Sequence, residues 1–310
     1  MSWAGQREQG GGFAYYGMKL LLASYRVGGK WLFRVCLYPV LGWFFWLGAA
    51  PRRASLDYLQ RLAAHAPELG LRPGLWLCWR HFIAFADMVL DKLHAWSGQP
   101  LAASSIRGRE GMLQRLAAGQ GGIMLTAHLG NTEVMQAFAE DIPALHLTIL
   151  VHTAHAAQFN RLLGEQGASS RIRLLQVEAL DAVLAADLAA RVAAGEWLVI
   201  AADRVPHRKG RRDATLPVRF LGHSACLPLG PHLLALLLAC PLVLACCVRE
   251  QAGFALSFTM LSEAQTVPRS QRNAWLQASA QRYADELQAL CRQEPLQWFN
   301  FYPFWSTPDE

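Results

Sequence analysis

In the second half of the chain, apolar residues come in short, near-continuous runs separated by longer stretches with helical spacing. Gly122-Ile-Met-Leu-Thr126, Leu147-Thr-Ile-Leu-Val151, Ile172 to Val177, Trp197 to Ala202, Leu242 to Val248 and Phe254 to Leu261 read as strands. Several are apolar at almost every position, the pattern of strands buried on both faces. Between them, Asn131 or Thr132 can cap a helix running through Glu140. Further helices read over Ala154 to Glu165, over Leu180 to Ala194 with Gly195 closing it, and over Pro231 to Cys240. Gln271 to Arg292 forms a last amphipathic helix. Strand and helix alternating at this pitch predict βαβ units and an α/β fold, with a mostly parallel central sheet flanked by helices.

The first hundred residues have a different pattern. Residues 1 to 12 are polar and glycine-rich and predict a loose start. Trp31 to Ala50 is rich in Trp and Phe, and its uncharged part, Val35 to Ala50, reaches only about 24 Å as a helix, against about 30 Å of hydrocarbon core. Lys19, Arg26, Lys30 and Arg34 precede this run and Arg52 and Arg53 follow it, so charge sets no orientation. The expectation is a helix or re-entrant hairpin lying in a membrane interface, kinked at Pro39, with its Trp residues at headgroup level. From Ser55 to Trp96 two helices follow, separated by Pro67 and Pro73-Gly74. His81 falls on an apolar face and reads as a core histidine. No linker, repeat or low-complexity stretch interrupts the rest, so residues 1–50 form an anchoring segment and residues 51–310 one domain.

Composition adds a surface to this picture. A chain of 310 residues that is 53% hydrophobic and 17% charged has ample core and is not disordered, and its 11 Trp, 14 Phe and 7 Tyr favour a lipid surface. A net charge of +6 agrees, because anionic headgroups attract each well-placed Lys or Arg by about 1 kcal/mol. It would also attract an acidic partner protein. No nucleic-acid reader motif accompanies the charge. Cys36, Cys78, Cys226, Cys240, Cys246, Cys247 and Cys291 make an odd set without a Cys-x-x-Cys pair, which reads as reduced and mostly buried. His152-Thr-Ala-His155 has the spacing of half a zinc site, but without a His-Glu-x-x-His it reads as polar residues at a strand end, and no metal or cofactor is expected.

The chemistry concentrates at His128-Leu-Gly-Asn-Thr-Glu133, directly behind the run Gly122 to Thr126. A strand-to-helix loop is where open α/β sheets hold their ligands. An imidazole there, with an ordinary pKa near 6.5, can accept a proton from a hydroxyl or amine attacking a thioester. A carboxylate on the other ring nitrogen fixes the tautomer and stabilises the imidazolium, and Glu133 is the candidate for that place. No serine nucleophile is required, so no acyl-enzyme forms. Backbone amides near Gly130 and Asn131, or a nearby arginine, would stabilise the oxyanion.

This His-x4-Glu element in its Gly-Gly-Ile-Met-Leu-Thr-Ala setting resembles the lysophospholipid acyltransferase superfamily, specifically its bacterial lipid A late acyltransferase branch. Phe220-Leu-Gly222 and Pro228-Leu-Gly-Pro231 are similar to that family's second and third blocks. The ending Gln297-Trp-Phe-Asn-Phe-Tyr-Pro-Phe-Trp305 resembles an offshoot, the predicted acyltransferases of aryl polyene and unusual-lipid gene clusters. The resemblance implies a glycerol-3-phosphate acyltransferase-like fold, an acyl-carrier-protein or acyl-CoA donor, a lipid acceptor, and a site on the cytoplasmic face of a bacterial inner membrane.

Several further residues become substrate-binding candidates. Asp203-Arg204-Val-Pro-His-Arg208-Lys-Gly-Arg-Arg212 carries Arg204 and Arg208 at a strand end, suited to a phosphopantetheine phosphate, an acidic carrier-protein surface or anionic headgroups, or else merely solvated. The branch it resembles begins this stretch with Asp-Gln, where this chain has Asp203-Arg204. Phe220, Gly222 and Pro228 are expected to shape the acyl and acceptor pocket, Arg249 to face either the same crevice or the surface, and Asn300 to be the polar group within the aromatic ending. The resulting expectation is an acyltransferase domain over 51–310 that moves a fatty acyl or aryl polyene carboxylate from a thioester to a lipid hydroxyl or amine. The rivals are a lipid-binding or assembly protein of the same fold without catalysis, and a serine hydrolase. No Gly-x-Ser-x-Gly elbow exists to support the hydrolase, since Gly222-His-Ser-Ala-Cys226 lacks the last glycine.

Overall fold

The computed structural model describes residues 11–96, 101–140, 142–151, 172–176, 182–205 and 214–305. The expected helix over Ala154 to Glu165, His152 and His155, the run from His207 through Arg208 to Arg212, and the glycine-rich start up to residue 10 lie outside them.

A seven-stranded sheet in the order β1-β9-β8-β2-β5-β3-β4 forms the centre. Its strands are β1 (Ala103–Arg107), β2 (Gly122–Thr126), β3 (Leu147–Val151), β4 (Ile172–Gln176), β5 (Trp197–Ala201), β8 (Leu242–Glu250) and β9 (Gly253–Ser262). All neighbours run parallel except β8 and β9, which form an antiparallel hairpin. The α/β architecture with a mostly parallel sheet is therefore as the sequence pattern predicts. The apolar strands are buried on both faces, and the two-residue alternation sorts their side chains into two cores. Ile123, Leu125, Leu198, Ile200, Leu242 and Leu244 join one core. It is covered by α2 (Ala49–His65), α3 (Leu75–Trp96), α7 (Leu229–Leu238) and α8 (Arg272–Gln293). Met124, Trp197, Val199, Val243 and Ala245 join the other, beneath α4 (Arg109–Ala117) and α5 (Thr132–Glu140). A further helix, α6 (Ala182–Ala193), precedes β5.

Three elements carried little apolar signal. β1 is an edge strand with mostly exposed residues, and α4 buries only Met112. The stretch around Phe220 forms an antiparallel hairpin of β6 (Thr215–Phe220) and β7 (His223–Pro228), separate from the main sheet. Its tight turn places Leu221 and Gly222 at φ 50° and 79°, the left-handed pair that two-residue hairpins need.

The N-terminal helix α1 runs from Gly11–Leu47, with Pro39 inside it, and its non-helical dihedrals fall at Gly29. No single helix among the described residues is long and apolar enough to cross a membrane; Trp31–Leu47 and Ala49–His65 pass that test only as a pair bent by 86°. Leu41 and Phe45 face the core while Trp31, Val35, Trp43 and Trp46 are exposed, and Leu75 and Trp76 at the start of α3 extend this bare aromatic face. Arg34 pairs with Asp87 at 2.9 Å, tying α1 to α3.

Candidate active site

The centre of the sheet brings His128 to its carboxylate by register. Thr126, the last residue of β2, lies opposite Ala201, the last of β5, and Ala202 N–H donates to Thr126 O at 3.0 Å. Two residues further on, the two chains present His128 and Asp203 to each other. His128 donates twice to this side chain, from its backbone N–H to Oδ2 at 2.9 Å and from Nδ1 to Oδ1 at 2.8 Å. The Asp203 side chain is 1% exposed and that of His128 is 40% exposed. Burial works against ionisation of Asp203, but the adjoining His128, its hydrogen bonds and Arg204 outweigh it and hold the carboxyl at about 2. An ionised carboxylate can only accept, so Nδ1 carries the proton and Nε2 keeps its lone pair. No other described residue bonds to that lone pair.

The acid on the imidazole is thus Asp203, 75 positions along the chain, and not Glu133 as the local spacing suggested. The reason is the helix start. Asn131 caps α5, with Oδ1 accepting from Val134 N–H at 3.2 Å and Nδ2 donating to Met88 O at 3.0 Å. Glu133 then falls in the first helical turn, where it pairs with Lys92 of α3 and accepts from Thr132 Oγ1 at 3.2 Å. In the sequence Asp203 stands only as the start of a cationic stretch. The usable signal was the equal two-residue offset of His128 and Asp203 from neighbouring apolar strands.

Backbone amides in the loop are already committed. Gly130 N–H donates to Gln297 O at 2.8 Å and Asn131 N–H to Cys247 O at 2.7 Å, so neither is left for an oxyanion. Gly130 sits at φ 70°, where an added Cβ would lie 2.0 Å from Cys247 O. The C-terminal stretch completes the loop as a short antiparallel pairing, Leu129 opposite Trp298, with Phe299 N–H donating to His128 O at 2.8 Å.

Gly130, Asn131 and Arg249 come together on a cavity of about 370 Å³ that Asp91, Arg80 and Phe299 also line. Arg249 pairs there with Asp91, which is buried. Arg204 donates to Phe299 O at 2.9 Å and lies 5.1 Å over the Tyr302 ring, while its Nε is buried without a partner. The other candidates sit elsewhere. Phe220 is buried against Trp298 at 5.2 Å, Gly222 occupies the exposed hairpin turn beside His65, and Pro228 precedes α7 as its N-cap. Asn300 is buried with both side-chain atoms unpartnered. His81 is a satisfied core histidine, fully buried between Ser55 and the Trp298 carbonyl. Among the described residues no group of three His, Cys, Asp or Glu could hold a metal ion, and all seven thiols are free.

Comparison with known families follows the same line. The family model described as "Bacterial lipid A biosynthesis acyltransferase" matches residues 77–307, well over half of the chain and all of the sheet. None of the curated proteins matches the sequence significantly.

Proposed function

The chain belongs to the bacterial lipid A biosynthesis acyltransferase family, and from that premise we propose that it transfers an acyl group from an acyl-carrier-protein or acyl-CoA thioester to a hydroxyl or amine of a lipid, with His128 as general base. The observation that carries this reading is the His128–Asp203 pair at the ends of adjacent parallel strands. Nε2 removes the proton of the acceptor hydroxyl or amine as its oxygen or nitrogen attacks the thioester carbonyl carbon. The tetrahedral intermediate then expels the thiolate, which takes the proton back from the imidazolium. An acylated lipid and a free thiol result, and no acyl-enzyme is needed.

Asp203 takes the orienting role in this mechanism. Glu133, paired with Lys92, holds the start of α5 beside the loop. With the Gly130 and Asn131 amides committed, the oxyanion donor is assigned to an arginine, and Arg204 next to Asp203 is the candidate. Arg204 and Arg208 suit the phosphate shared by both donor types. The cavity beside Gly130, Asn131 and Arg249 suits polar groups of the acceptor, and Phe220, Gly222 and Pro228 contribute through the aromatic packing and hairpin behind the site. The bare Trp face of α1 and α3 rests on the cytoplasmic leaflet of an inner membrane, where anionic headgroups meet Arg52 and Arg53. A fatty acyl chain or an aryl polyene carboxylate would both serve as cargo.

Wild type and His128→Ala incubated with labelled acyl-carrier-protein and acyl-CoA donors and a bacterial lipid extract test this by mass spectrometry. A new acylated lipid that requires His128 is expected, and it names both substrates. Absence of product from folded, membrane-bound wild type with every donor would favour a lipid-binding protein on the same fold.

A further inference from the structure

We propose that Trp298 is a positioning residue that sets the basicity of His128 through Asp203, and that the buried His81 locks it in place. This rests on His128 being the base and adds a third member, from the far end of the domain, to the pair. The indole Nε1–H donates to Asp203 Oδ2 at 3.0 Å, onto the same oxygen that accepts the His128 backbone N–H at 2.9 Å. Oδ1 is left for the imidazole at 2.8 Å. Trp298 therefore fixes the rotation of the carboxylate and draws negative charge away from the oxygen facing His128. A hydrogen bond to an ionised group is about twice as strong as a neutral one, and Asp203 and Trp298 are both buried.

The tryptophan has little freedom of its own. Its carbonyl accepts from His81 Nε2 at 2.9 Å and from Asn300 N–H at 2.8 Å. A carbonyl only accepts, so the His81 proton lies on Nε2, and Nδ1 accepts from Ser55 Oγ at 2.9 Å. Cys78 Sγ completes the chain by donating to Ser55 Oγ at 3.3 Å. Burial pushes His81 down to about 4, against the pull of the Trp298 carbonyl, so it stays neutral and its tautomer does not change near pH 7. Tyr58, Phe220 and Phe304 pack the indole edge-on at 4.9 to 5.2 Å. The same residue pairs with Leu129, so one residue holds both the backbone of the histidine loop and its carboxylate.

Other groups coupled to Asp203 do not titrate near neutrality. Tyr283, Tyr302, Cys246 and Cys291 are all raised, with burial the largest cause. The peptide carrying His128 therefore reports the pair.

The test measures the rate at which diethyl pyrocarbonate modifies the His128 peptide against pH, by mass spectrometry on the full-length protein. Only the unprotonated imidazole reacts, and turnover is not needed. Trp298→Phe removes the donor. Site-specific 3-benzothienylalanine at 298 removes it with the shape of the indole retained, should the phenylalanine variant fail to fold. Loss of the N–H concentrates charge on Asp203 and strengthens its hold on the imidazolium. The midpoint is expected to rise by about one pH unit, a tenfold smaller unprotonated fraction well below the midpoint. Phe304→Leu trims the same aromatic cluster without touching the donor and should leave the midpoint in place. A midpoint unmoved in the benzothienyl protein, or moved equally by Phe304→Leu, overturns the proposal. If the midpoint moves while wild type acylates no lipid, the acyltransferase reading falls and the positioning role stands.

Discussion

Replacing Asp203 with Asn should enforce the wrong tautomer of His128. Two N–H groups, from the His128 backbone and from Trp298, converge on Oδ2, so the amide oxygen of Asn must occupy that position. The amide NH2 is then forced to the Oδ1 position, facing Nδ1 at about the wild-type 2.8 Å. Two donors cannot meet there, so Nδ1 must give up its proton and the imidazole carries it on Nε2, where the base needs a lone pair. In a Ser-His-Asp triad the equivalent change costs about 10⁴ in turnover, which corresponds to about 5.4 kcal/mol at 1.36 kcal/mol per decade. We expect a kcat loss of three to four decades, roughly, with the folded state retained because the hydrogen-bond count is conserved. Single-turnover acyl transfer with a thermal melt on each variant provides the assay. Glu133→Gln, run beside it, breaks only the ion pair with Lys92 and should stay within about tenfold of wild type. Turnover near wild type in Asp203→Asn, with a collapse in Glu133→Gln, would refute the assignment and return the orienting role to Glu133.

Acid should unfold the protein earlier than its carboxylates alone predict. Burial lowers both His81 and His232 to about 4, so the unfolded chain binds their protons first, and stability is lost as pH falls from about 6.5 to about 4, roughly 2 kcal/mol for each at pH 5. Asp203, held at about 2, adds its loss only below about pH 4. Urea titrations at pH 7 and pH 5 check this, and an unchanged free energy would contradict it. Gly130→Ala puts a methyl group 2.0 Å from Cys247 O at a left-handed φ, and a loss of about 2 kcal/mol or more with loss of turnover is expected from melts and the transfer assay. Trp76→Ala and Trp46→Ala remove rings that are 72% and 69% exposed; each should weaken binding to anionic phospholipid vesicles about tenfold and leave thermal stability unchanged.

What could be read from the sequence follows the length scale of each cause. β2, β5 and β8 were legible because burial on both faces writes itself as a continuous apolar run. Asn131 was legible as a cap because its bond to Val134 spans three residues. β1 has an exposed pattern and stands at a sheet edge, so it carries no such signature. The β6–β7 hairpin does alternate, with Val218 and Phe220 buried and Pro217 and Arg219 exposed, but the run is short and its proline argues against a strand. At the site, His128 was visible from its position behind a buried strand. Its acid was not, because a His-x4-Glu spacing is local while the Asp203 contact depends on which strand neighbours β2. Trp298 was equally hidden. An indole in an aromatic ending is ordinary core material until the fold shows what its N–H meets.

The pairing of Leu129 with Trp298 also has a consequence in time. During synthesis the histidine loop leaves the ribosome some 170 residues before the segment that holds it. Until then Gly130 N–H lacks its acceptor at Gln297, and Asp203, once made, lacks the indole. A nascent chain or a fragment ending before residue 297 would therefore have His128 without its frame, and under the proposed mechanism it is expected to transfer no acyl group. The segment that frames His128 is thus made long after the loop it frames.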